Sequence, residues 1–176
     1  FYGITDGDFN QDGNLDLFAG GKILLGNGNG SFKAGFTAGP VTPRFPVASD
    51  IDGDGALDLL SGGNGILQVN IGNGNGTFKA AVSYGGATLG DGLTLRDVND
   101  DGIQDAIVTS AFGNSVNVLF GNSNGTFKAV TSYLGISSPG QVVTADFNND
   151  DVYDIYTVAF NSQDFILFGN YTRTSH

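Results

Sequence analysis

This sequence predicts an all-β chain of β-propeller-type blades, four repeats of four antiparallel strands with the last blade incomplete, on three observations. A nine-residue acidic loop occurs four times, at 8–16, 50–58, 97–105 and 146–154, with starts 42, 47 and 49 residues apart. A glycine-rich turn follows each loop, beginning at Gly26, Gly72, Gly121 and Gly169 and recurring after 46, 49 and 48 residues. Short apolar runs without 3.6-residue periodicity fill the remainder, and the 29 glycines would each cost up to about 1 kcal/mol inside a helix. A period in the forties with four short strands per unit is that of a propeller blade.

Taken in order, Phe1 to Thr5 reads as a strand entering the first loop, and Leu15 to Ala19 as the strand leaving it. A Gly20-Gly21-Lys22 turn and the run Ile23-Leu24-Leu25 follow. Gly26-Asn27-Gly28-Asn29-Gly30 is hairpin chemistry, because glycine and asparagine take positive φ cheaply. Ser31-Phe32-Lys33-Ala34 then reads as the fourth strand of the unit. The unit repeats over approximately 1–38, 39–84, 85–133 and 134–170, with turn-like linkers at 39–44, 85–90 and 135–140 and a tail at 171–176. Pro46 to Ser49, Leu93 to Arg96 and Val142 to Ala145 carry small side chains suited to the innermost strand. Ala106-Ile107-Val108 and Ile155-Tyr156-Thr157-Val158 are nearly continuous apolar runs, as expected of strands covered on both faces. Phe32, Phe78 and Phe127 recur at one place in the unit and are expected in the core between blades. Nothing after Asn170 repeats the Ser-Phe-Lys-Ala run, so the last blade is expected to lack its fourth strand.

The loops carry the chemistry. In the second, Asp50, Asp52, Asp54 and Asp58 place carboxylates at alternate positions, Ala56 offers a main-chain carbonyl, and glycines allow the sharp turn. Ca²⁺ takes six to eight oxygens at roughly 2.3–2.6 Å, and a short loop that alternates ligands in this way can wrap it. All 18 acidic residues are aspartate, and only Asp6, Asp91 and Asp164 lie outside the four loops. That clustering is unfavourable without cations; four Ca²⁺ would bring the formal charge from −11 to −3. Seven Lys and Arg residues form no patch, which argues against nucleic acid. Cysteine is absent, so disulfides report no compartment. Calcium loops with few bidentate ligands suit the calcium concentrations outside cells, so an extracellular or cell-surface location is expected. No apolar run reaches eighteen residues, so no membrane span and no retained export signal are expected.

The run Asp-Phe-Asn-x-Asp-Gly-x-x-Asp-Leu from Asp8, followed by Leu-Gly-Asn-Gly-Asn-Gly-Ser-Phe from Leu25, resembles the FG-GAP repeats, also called VCBS-type or integrin-α-like propeller repeats. Phe120-Gly121 and Phe168-Gly169 match the pair in the family name, and the resemblance covers Phe1 to Asn170. It implies up to four Ca²⁺, each in the loop between the first two strands of a blade. The ligands it implies are Asp8, Asn10, Asp12, Asn14 (carbonyl) and Asp16 in the first loop, and Asp50, Asp52, Asp54, Ala56 (carbonyl) and Asp58 in the second. The third set is Asp97, Asn99, Asp101, Ile103 (carbonyl) and Asp105, and the fourth Asp146, Asn148, Asp150, Val152 (carbonyl) and Asp154. Asp151 stands where glycine is usual, so a weaker fourth site is expected. The resemblance further implies binding of a glycan or protein partner, or of other copies of the chain, in adhesion. Integrin-type propellers have seven blades. Four blades imply, in order, a piece of a longer propeller, assembly with other copies, or an imperfectly closed ring.

Catalysis has little to work with. The one histidine is His176, cysteine and glutamate are absent, and the aspartates are committed as ligands, so no nucleophile and base pair can be assembled. A piece of a propeller-type polysaccharide lyase, with its catalytic set elsewhere, is the remaining enzymatic reading. The Gly-Asn-Gly turns precede no helix and are hairpin turns, not phosphate cradles. Asn29-Gly30-Ser31, Asn75-Gly76-Thr77, Asn124-Gly125-Thr126 and Asn170-Tyr171-Thr172 fit the N-glycosylation pattern, the first three through turn chemistry. Tryptophan is absent, leaving Tyr2, Tyr84 and Tyr133 as sugar-stacking candidates.

Overall fold

A computed structural model describes residues 3–37, 44–63, 65–85, 90–159 and 164–169. The tail at 171–176, Tyr2, the Asn170 sequence and the linker residues 39–43 and 86–89 lie outside the described residues. Fifteen strands form four sheets, and no helix occurs among the described residues.

The first sheet contains β1 (Ile4–Gly7), β2 (Asp16–Ala19), β3 (Lys22–Gly26) and β4 (Phe32–Thr37). The second contains β5 (Arg44–Ser49), β6 (Asp58–Gly63), β7 (Ile66–Asn70) and β8 (Val82–Gly85). The third contains β9 (Gly92–Arg96), β10 (Asp105–Ser110), β11 (Ser115–Leu119) and β12 (Thr131–Leu134). The fourth contains β13 (Pro139–Ala145), β14 (Asp154–Ala159) and β15 (Phe165–Leu167), one strand fewer, as the sequence predicts. Each is an antiparallel meander in chain order. The strands are short because turn residues interrupt them; Gly20 and Gly21 both hold positive φ (58° and 82°) between β2 and β3, a backbone that glycine adopts without strain.

The first strands of successive sheets lie side by side, β1 against β5, β5 against β9 and β9 against β13, so the sheets stand as blades fanned from one edge. Among the described residues the row is not closed into a ring. Strand alternation decides what each blade shows its neighbours. The residue after the ninth loop aspartate faces the preceding blade: Leu59 lies with Phe18 and Ile23, Ala106 with Leu60 and Val69, and Ile155 with Ile107 and Val118. The next residue along, Phe18, Leu60 or Ile107, faces the following blade. The core is therefore three slabs between blades, not one central cluster.

Two expectations change. In the second and third blades the Phe-Lys-Ala run contributes only single bridges, Gly72 to Phe78 and Gly121 to Phe127, and the fourth strand begins later. Phe127 is 7% exposed and meets Tyr84 edge-on at 5.6 Å, and Phe78 meets Phe9 at 6.0 Å, but Phe32 is 49% exposed. Phe78 and Phe127 pack on the blade before their own, against Phe9 and Tyr84; Phe32 makes no such contact among the described residues.

Candidate metal centres

Every acidic loop joins the first two strands of its blade. The ninth aspartate pairs with the last residue of the first strand: Gly7 with Asp16, Ser49 with Asp58, Arg96 with Asp105 and Ala145 with Asp154. Side-chain oxygens of the loop collect its own N–H groups. Asp8 accepts from Asp12 and Gly13 at 3.1 and 2.8 Å, Asp97 from Asp101 and Gly102 at 3.1 and 2.7 Å, and Asp146 from Asp150 and Asp151 at 3.2 and 3.0 Å. In the second loop Asp50 accepts instead from Gly53 and Gly55, at 2.7 and 2.9 Å. The third-position side chains, Asn10, Asp52, Asn99 and Asn148, accept the fifth-position N–H. The fifth aspartates, Asp12, Asp54, Asp101 and Asp150, accept the N–H of Asn14, Ala56, Ile103 and Val152. Each loop thus folds back on itself through its own side-chain oxygens.

Such a path needs left-handed backbone twice. The sixth position is Gly13, Gly55, Gly102 or Asp151, with φ of 84°, 88°, 80° and 64°. Asp151 thus adopts the conformation of the glycine it replaces, at a cost of about 1 kcal/mol or more. The fourth position is left-handed as well, at Gln11, Gly53, Asp100 and Asn149. Sequence reasoning missed this, although three of those four residues are Gly, Asp and Asn, the types that tolerate it.

The ninth aspartates are buried, with both oxygens in use. Asp58 accepts from Ile51 and Gly72, each at 2.8 Å; Asp16 from Phe9 and Gly26 at 3.0 and 2.8 Å; Asp105 from Val98 and Gly121 at 3.0 and 2.9 Å; Asp154 from Phe147 and Gly169 at 2.9 and 2.7 Å. One carboxylate thereby pins the loop to the turn that ends the third strand. An ionised carboxylate has about four lone-pair sites, so these bonds leave capacity for a cation. Burial pushes the Asp58 carboxyl above its ordinary value; its two N–H bonds oppose this, and the charges of Asp52 and Asp50 add to it. Asp105 is raised in the same way, by burial first and by Asp101 and Asp97 last. Asp12 is lowered, chiefly by the Asn10 amide. Asp146 is also lowered, since backbone N–H bonds outweigh its desolvation.

The second loop gathers the densest charge. Asp50, Asp52 and Asp58 bring carboxylate oxygens within 4.8 Å of one another, a group of three acids found nowhere else among the described residues. The other loops carry asparagine at the third position, so their oxygen sets hold one charge fewer there. Among the described residues, only Lys79, 4.0 Å from Asp52, offsets the second cluster by an ion pair. Hard oxygens, uncompensated charge and a short wrapping loop fit a Ca²⁺ ion.

The loops also touch one another across blades. Gln11 donates to the Gly55 carbonyl at 2.9 Å, Gly76 donates to the Phe9 carbonyl at 2.8 Å, and Arg96 stacks 4.1 Å above the Tyr153 ring. No helix among the described residues is long and apolar enough to cross a membrane.

A comparison with curated protein sequences finds no match. Among solved structures, the chain is similar to an Agrocybe aegerita lectin described as specifically recognising non-reducing terminal N-acetylglucosamine. The TM-score is 0.59 at 20% identity, covering 86% of this chain and 45% of the lectin. It also aligns with the Photorhabdus luminescens Tc holotoxin pore, at a TM-score of 0.44 and 20% identity, over 88% of this chain and 8% of that one. The chain thus spans less than half the length of either. The FG-GAP-like repeat model matches three times, at residues 8–61, 50–108 and 97–157. Those matches run without a break through the four loops and the blades they join, and the protein belongs to the FG-GAP-like repeat family.

Proposed function

We propose that this protein is a non-catalytic binding module of the extracellular space or cell surface, in which Ca²⁺ bound in the loops holds the blades in place and the assembled blades present a surface to a glycan. The observation that carries the calcium reading is the convergence of Asp50, Asp52 and Asp58 within 4.8 Å, with Asp58 buried and its charge disfavoured by its neighbours. A divalent ion there would neutralise that repulsion, and the same loop plan at 8–16, 97–105 and 146–154 extends the reading to up to four ions. The glycan reading is supported by fold likeness to the lectin, an argument by analogy of architecture.

Thermal melting with Ca²⁺ and with chelator tests the first part. A ligand that binds only the folded state adds about 2.7 kcal/mol per site at a hundredfold excess over Kd. A midpoint raised by at least several degrees in Ca²⁺, but not in Mg²⁺, is expected; identical midpoints in calcium and chelator would end the calcium reading. A glycan array positive in Ca²⁺ and blank in chelator is the expected outcome for the second part, and a blank array in both removes the glycan.

A further inference from the structure

Neighbouring loops are joined at the residues that flank their ligands, and the contact repeats in register. The residue just before the first aspartate of one loop meets the eighth residue of the next: Gly7 meets Leu57, Ser49 meets Gln104, and Arg96 meets Tyr153. Its chemistry differs each time. A Cβ on Gly7 would collide with the Leu57 side chain, the Ser49 hydroxyl donates to Gln104 Oε1 at 2.8 Å, and the Arg96 guanidinium lies 4.1 Å from the centre of the Tyr153 ring. A second thread joins the first two loops, where Gln11 at the fourth position donates to the carbonyl of Gly55 at the sixth.

The eighth residue has little room to move. A Cβ on Gly72, Gly121 or Gly169 would run into the carbonyl of Leu57, Gln104 or Tyr153, and each of those glycines donates its N–H to the ninth aspartate. The eighth residue also stands between the seventh-position carbonyl and the ninth carboxylate, two of the oxygens that would surround an ion. A side chain of the preceding blade thus rests on the segment that carries two ligands of the next loop.

We propose that the loops take up their ions as a coupled row, filling of one loop tightening the next through this contact, with Ser49 and Arg96 as positioning residues for the loop that follows their own. The proposal rests on the calcium reading above and concerns the regulation of those sites. Binding at the first aspartate orders the residue before it; that residue orders the eighth residue of the next loop, so the second ion has less conformational freedom to remove. The effect is reciprocal, so the later loop tightens the earlier one by the same factor. Charge alone works in the opposite sense, because each bound cation weakens the negative field that attracts the next.

Terbium titration of the chain tests it. Tb³⁺ is a hard cation suited to the same oxygen ligands, and it luminesces when a tyrosine beside it is excited. Tyr153 is the one tyrosine inside a loop, so the signal reports the fourth site. Asp97→Asn with Asp101→Asn disables the third loop, and should raise the terbium concentration that half-fills the fourth by roughly fivefold or more. In an Arg96→Met background the same pair should shift it by less than about twofold, since the loss of charge is unchanged and only the contact is gone. Arg96 is exposed, so its replacement should leave the circular dichroism of wild type. If the paired substitution unfolds the chain, Asp97→Asn alone serves as the knock-out, with the same two expectations. Equal shifts in the two backgrounds, or none in either, overturn the coupling and leave the calcium reading standing. A titration without any saturable signal removes metal from the fourth loop, and the coupling with it.

Discussion

The second and fourth loops follow the same local plan in different surroundings. Asp58 and Asp154 make the same two hydrogen bonds, to the second loop residue and to the glycine ending the third strand. Around Asp58 the second residue, Ile51, is buried among Leu60, Val69 and Phe127, and three carboxylates converge. Around Asp154 the second residue, Phe147, is 45% exposed and meets the Tyr156 ring of its own blade at 6.0 Å, and the third position is Asn148. Local hydrogen bonding is therefore set by the loop residues themselves, whereas burial and its energetic consequences are set by the adjoining blade.

The largest break in this comparison should come from the buried carboxylate. Asp58→Ala leaves two buried N–H groups without a partner, at about 1–3 kcal/mol each. Measured by denaturation in chelator, so that metal plays no part, it should cost several kcal/mol or prevent folding. Asp154→Ala removes the same bonds from an equally buried carboxylate, but the N–H groups it frees, on exposed Phe147 and half-buried Gly169, can turn to water, so it should cost less. Equal losses would mean that the adjoining blade does not matter to this carboxylate.

The second loop residue comes next. Ile51→Ala should destabilise by about 2–4 kcal/mol, as large-to-small core substitutions do. Phe147→Ala, at an exposed site in the isolated chain, should fall within about 0.5 kcal/mol of wild type. A Phe147→Ala penalty as large as that of Ile51→Ala in dilute protein would show that this face is already covered.

Charge at the third position sharpens the contrast further. Asp52→Asn gives the second loop the amide that the other three carry, and relieves repulsion on Asp58. In chelator the variant should match or exceed wild-type stability by up to about 1 kcal/mol, because the Lys79 contact it loses is a long 4.0 Å pair to an exposed lysine, of small value. In calcium it should lose part of the ion-dependent gain, as calorimetric titration would register; unchanged affinity would remove Asp52 from the site.

The smallest effect concerns the fourth loop alone. Asp151→Gly supplies the residue suited to φ of 64° and should stabilise by about 0.5–1 kcal/mol. Any destabilisation would show that the Asp151 side chain makes a contact worth more than the backbone strain it causes.

Much of this was legible beforehand because it is local. Oxygen-bearing side chains at alternate positions, a glycine at the sixth in three loops and an Asn-Gly turn fixed distances later depend on backbone geometry within about a dozen residues, and the strands and the meanders follow from them. The left-handed fourth position was harder to read, since Gln11 is not a residue type that signals it. Phe32 could not be told from Phe78 and Phe127 by sequence, for all three stand in similar Gly-Ser/Thr-Phe-Lys-Ala runs and differ in what packs against them.

The chain's own letters thus determine four self-bonded acidic loops and four thin sheets with an apolar residue on either face, because side-chain alternation and turn chemistry are properties of neighbouring residues. Tertiary structure alone decides which copies of a repeated side chain lose their water and that Asp58 sits buried between competing charges. Desolvation is the physical reason: it depends on what lies across an interface, and identical repeats meet different neighbours.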